Sequence, residues 1–132
     1  MDSNLVKEIE RIENLAGVDI IKLSMIIGTI NRVFTRMRFK GEFPRIIADN
    51  CHKDGQAEEC PAYYCDDEKK IIINMSAPKH PLSCSSVVLA SCVAWAAAMH
   101  VFYERGLNKR SPEGMRAAAE KLAKSIAKDI CC

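Results

Sequence analysis

The stretch VAWAAAMHVFYERG, residues 93–106, decides the architecture. Its alanines are the strongest helix formers, and Trp95, Met99, Val101 and Phe102 between them leave no helical face clearly polar. Read backwards, the apolar pattern continues through Val93, Leu89, Val88 and Val87 to a cap at Ser83 or Ser85. A helix that is apolar on nearly every side belongs at the centre of a fold. The spacing therefore predicts a buried helix running to Arg105, stopped by Gly106 and Asn108.

Beyond that stop, Ser111-Pro112-Glu113 starts a last helix: Ser as cap, Pro at the first helical position, Glu at the positive end of the dipole. Met115, Ala119, Leu122, Ile126 and Ile130 form its apolar stripe. On the other side, Ala62–Cys65 and Lys70–Met75 are β-favouring runs joined by the acidic tip Asp66-Asp67-Glu68, which reads as a solvated hairpin turn. Residues 45–48 are a further short strand candidate. Asp54-Gly55 marks a turn within the polar segment 49–59. A helix is expected over Val18–Phe39 from Ile20, Leu23, Ile27, Ile30, Phe34 and Met37, with Gly41 ending it. A shorter one is expected over residues 3–15 from Leu5, Ile9, Ile12 and Leu15. The expected class is α+β, with a small antiparallel or mixed sheet packed against helices.

Composition narrows the function. At 132 residues, 48% hydrophobic and 27% charged, the chain reads as one soluble domain over 1–132. A net charge of +2, with no basic block interleaved with aromatics, argues against nucleic-acid binding. The N-terminal MDSNLVKEIERIE alternates charge with apolar residues and lacks a signal-peptide core. Apolar stretches at 20–30 and 87–101 are interrupted by Lys22, Ser24, Thr29 and Ser91, so no membrane span is expected. The expected location is cytoplasmic, and a chain of this size often forms a homodimer.

The central helix comes close to a catalytic motif. With His and Glu at positions 96 and 97 it would read H-E-x-x-H, two imidazoles one turn apart around a zinc ion and a carboxylate that deprotonates its water. His100 fills the second ligand position, while Ala96 and Ala97 fill the other two. Glu120, twenty residues on, begins E-x-x-A-x-x-apolar-A with Ala123, Ile126 and Ala127. The pattern resembles the small gluzincins, zinc peptidases that include those cleaving phage repressors and radiation-response regulators. The resemblance covers roughly residues 18–130 and extends to the order helix, short strands, edge strand, active-site helix, glutamate helix. It implies metal ligands at His100 and Glu120, and an edge strand at Lys70–Met75 that pairs with an extended substrate.

As written, this chain lacks the ligand at 96 and the base at 97, so the resemblance implies a catalytically inactive zincin-like domain that acts by binding a protein or peptide. The structural reading of His100 is a hydrogen-bonded core histidine, and of the alanines simply good helix formers. A rival reading is a non-enzymatic α+β interaction or assembly protein, viral origin included, with structural cysteines or a zinc site. A further one is an active zinc peptidase inactivated by alanine at 96 and 97.

The chain has seven cysteines. Cys51, His52, Cys60 and Cys65 are a second candidate zinc set, since thiolates and imidazole suit a tetrahedral ion. Their C-H-x7-C-x4-C spacing has no C-x2-C knuckle, and adjacent Cys51 and His52 strain to face one ion. Free thiols, or a Cys51–Cys60 or Cys60–Cys65 disulfide, are the alternatives.

Overall fold

The computed structural model describes residues 12–13, 20–42, 44–49, 62–65, 67–74 and 86–131. Its elements are β1 (Ile12–Glu13), α1 (Ile20–Arg36), β2 (Arg45–Asp49), β3 (Ala62–Cys65), β4 (Lys70–Asn74), α2 (Ser86–Glu104), the short α3 (Leu107–Arg110) and α4 (Pro112–Cys131). The fold is α+β, with a small mixed sheet in the order β1-β2-β4-β3. β1 and β2 run parallel, as do β2 and β4, while β3 is antiparallel to β4.

α2 is the central rod. It packs against α4, α1 and β3, and Val93, Ala94, Ala96, Ala97, Ala98 and Val101 are all fully buried. Small side chains there let α4 approach closely through Met115, Ala119, Ala123 and Ile126. Strand alternation divides the sheet between two clusters. Ile46, Ala62, Ile71 and Ile73 join the helices in the main core, whereas Tyr63, Cys65 and Ile72 form a separate cluster. The unbroken Ile71-Ile72-Ile73 run thus supplies both clusters, as a strand buried on both faces should.

Three expectations need correction. The helix expected over residues 3–15 does not reach its end, because Ile12 and Glu13 pair with Ile46 and Ile47 as a strand. Ladder pairing outweighs a helical stripe that is weak in isolation. The helix expected to run to Phe39 closes at Arg36, before Gly41. Arg38 adopts the left-handed conformation (φ 53°). The Phe39 N–H then bonds the Phe34 carbonyl at 2.9 Å, and the Arg38 N–H bonds that of Thr35 at 3.2 Å. This is a Schellman motif, completed by edge-to-face contact of Phe34 and Phe39 at 4.9 Å. Gly41 has a different task, since a Cβ there would run into the Phe39 ring. The third correction concerns β4. It lies between β2 and β3 with partners along both sides, so Lys70–Asn74 of the run expected as a sheet edge is an interior strand.

The remaining boundaries follow from local chemistry. Pro112 opens α4 as expected, with the Ser111 carbonyl accepting the Met115 N–H at 2.9 Å. Gly106, left-handed at φ 73°, turns the chain out of α2. Among the described residues no helix is long and apolar enough to cross a membrane.

Candidate functional site

His100 projects from α2 into a ring of aromatics. Its centroid lies 6.0 Å from Phe34, 5.7 Å from Phe39 and 5.4 Å from Tyr64, and the residue is 4% exposed. Nδ1 stands 3.0 Å from the Tyr64 hydroxyl, and the nearby Glu42 backbone favours the charged ring. A neutral imidazole meets this partner when Nδ1 accepts from the Tyr64 hydroxyl. Burial pushes the His100 pKa below its ordinary value. Glu104 and the Glu42 backbone oppose that shift, and Lys69 adds to it.

The expected motif partners are elsewhere. Ala96 and Ala97 are 0% exposed and sit within the core cluster. The Glu120 side chain is 67% exposed on α4 and pairs with Lys124 one turn on, at 3.3 Å. It is absent from the groups that bond His100, stack on it or shift its pKa. These residues do not fit a shared zinc ion. Among the described residues no group of three His, Cys, Asp or Glu side chains could hold a metal. Glu120→Ala should change stability by no more than about 0.5 kcal/mol, as exposed i,i+4 pairs do. A urea titration with and without added zinc checks this, and a zinc-dependent difference between the two proteins would contradict it.

Of the cysteine set, Cys51, His52 and Cys60 lie outside the described residues. Cys65 is a buried free thiol. It clusters with Tyr63 and Ile72, whereas Tyr64 packs with the helices. By alternation along β3, Cys65 therefore faces away from His100.

Two cavities adjoin His100 and the turn of α2 that follows it. One cavity of about 330 Å³ is lined by Tyr64, Lys69, Tyr103, Glu104, Gly106, Asn108 and Lys109. A second, of about 380 Å³, includes Glu42, Arg45, Glu68, Lys69, His100 and Glu104. Both share Lys69 and Glu104, whose charged groups are 3.4 Å apart. Tyr64 and Tyr103, tilted by 39° with centroids 5.5 Å apart, wall the first cavity.

Local structure puts these groups in place. Lys69 ends the hairpin turn at φ 52°, a conformation that residues other than glycine adopt uncommonly. Its neighbour Lys70 pairs with Glu68, which holds that carboxyl below the usual carboxylate range. The sequence assigns no role to Lys69, which follows the acidic tip, nor to Tyr64, Tyr103 or Glu104. The YY pair of residues 63–64 was the available signal, because alternation sends one tyrosine toward the helices.

Comparison with known protein families, with curated proteins and with solved structures found no match for this chain.

Proposed function

We propose that this domain is a non-catalytic, zincin-like binding module that holds a peptide segment where the β3–β4 hairpin meets the C-terminal end of α2. The observation that carries the reading is the pair of adjoining cavities across the Lys69–Glu104 pair. Tyrosine walls with a charged rim suit a peptide, because the rings take apolar side chains while the rim orients the polar backbone. The near-motif supports binding over turnover. Position 97 has no base, position 96 has no ligand atom, and His100 already bonds Tyr64. The zincin-like part rests on the sequence pattern and on the succession of strands, buried helix and final helix.

Selection of random peptides displayed on phage against the folded protein tests the reading. Enriched peptides should lose at least tenfold in affinity to Tyr103→Ala and to the rim variant Lys109→Glu, with the melting temperature of the latter unchanged. Failure to enrich any peptide, or enriched peptides indifferent to both substitutions, counts against it.

A further inference from the structure

We propose that the cavity between Tyr64, Tyr103 and the α2–α3 corner receives the free C-terminal carboxylate of the bound peptide. The proposal rests on the peptide-binding reading above and names the chemistry of one end of that groove.

Charge is the first argument. Two ammonium groups, Lys69 and Lys109, line this cavity against one carboxylate, Glu104. Glu104 is engaged with Lys69 at 3.4 Å. An ammonium carries three donors, so Lys69 can hold Glu104 and still bond a second anion. Among the described residues the side chains of Lys109 and Asn108 have no ion pair or hydrogen bond. They present an ammonium and an amide donor on the cavity rim. The adjoining cavity has no such surplus: Glu42, Glu68 and Glu104 line it against Arg45 and Lys69, and Lys70 pairs with Glu68 beside it. The surplus of positive charge therefore lies at the end of the groove next to Lys109, which is where a carboxylate is favoured.

Shape is the second argument. About 330 Å³ between two tyrosine rings suits one terminal residue with an apolar or aromatic side chain. Gly106 lines the same cavity, and a Cβ built on it meets nothing within 4 Å. Its left-handed turn carries the chain out of α2, so that Asn108 and Lys109 fall on the cavity rim while Tyr103 stays on its wall.

The test uses the full chain and N-acetyl-Ala-Ala-Ala-Phe, made once as the free acid and once as the carboxamide. Titrations are followed by amide chemical shifts and by calorimetry. The acid should bind at least tenfold more tightly than the amide, equivalent to about 1.4 kcal/mol. It should perturb Tyr64, Tyr103, Asn108 and Lys109, and bind more weakly as salt rises. Lys109→Gln should remove most of the preference for the acid. Equal affinities of acid and amide at these residues would overturn the carboxylate proposal and leave the peptide reading standing. Shifts confined to other surfaces would overturn it too. If neither probe binds and phage selection also yields nothing, both readings fall together.

Discussion

Ala97→Glu, alone or with Ala96→His, should lower the folding stability by more than about 3 kcal/mol, and zinc should not restore it. Both alanines are 0% exposed and belong to the main core cluster, with Val93, Ala94, Val101 and residues of α4 and the sheet. Glutamate there adds volume to a packed core, which by itself costs about 1–3 kcal/mol. It also brings a carboxylate that must either stay charged without a partner or take up a proton at a raised pKa. An unpaired buried charge costs a further ~3–5 kcal/mol when no relaxation relieves it. For a chain of this length, that total corresponds to a melting temperature roughly 10 °C lower or more. Urea unfolding gives the measurement, with an unchanged m-value as the sign that the unfolded state is not altered.

Zinc makes the experiment discriminating. A metal bound only by the folded protein adds about 2.7 kcal/mol at a hundred times its dissociation constant. Were the double variant to fold normally and melt higher with zinc, a dormant metal centre would exist at this helix, and the binding-module reading would give way to that of an inactivated peptidase.

Acidification should weaken the protein through His100, and His100→Ala should abolish that dependence. The native state favours the neutral imidazole, because burial lowers its pKa below the value of about 6.5 that it has in the unfolded chain. Below pH ~6.5 the unfolded chain therefore binds more protons than the native state, so stability falls as pH decreases toward the folded pKa. The steepest possible contribution of one group is about 1.4 kcal/mol per pH unit. Above pH ~6.5 the contribution of the neutral ring is fully present.

The surroundings explain why no ready compensation exists. Phe34, Phe39 and Tyr64 crowd the ring, and Nδ1 serves as acceptor only while unprotonated. Glu104 favours the charged form, but Lys69 works against it. Glu42, Glu68 and Arg45 line the same cavity at greater exposure to water. At pH 8, His100→Ala should cost about 3 kcal/mol, from the ring-sized void and the loss of the bond between Nδ1 and the Tyr64 hydroxyl. The difference between wild type and variant should narrow at pH 5. A difference that stays constant from pH 8 to pH 5 would show that the native ring carries no desolvation penalty when charged.

Much of the scaffold was legible from local pattern. An apolar helix flanked by a turn and a Ser-Pro-Glu start is visible in adjacent residues, because capping and periodicity are short-range properties. The position of Glu120 was partly legible as well. It follows Ala119 on the buried stripe of α4 by one residue, a rotation of about 100° that carries it off the packed face. The E-x-x-A resemblance implies a ligand at Glu120, and the structure places its side chain in water beside Lys124 instead. By contrast, the β1 pairing, the interior position of β4 and the Arg38 closure of α1 depend on distant partners or on backbone conformations that residue type does not announce.

The amino-acid order alone determined the α+β class, the buried course of α2, the hairpin and the absence of a ligand and a base at positions 96 and 97. Each is a property of neighbouring residues or of identity. Only the tertiary structure decided that His100 is a core histidine tied to Tyr64, that Glu120 faces water, and that Lys69 meets Glu104 beside two cavities. Those outcomes depend on how rods and strands rotate against one another as they pack. That rotation is set by the shapes of many side chains together, which no single motif encodes.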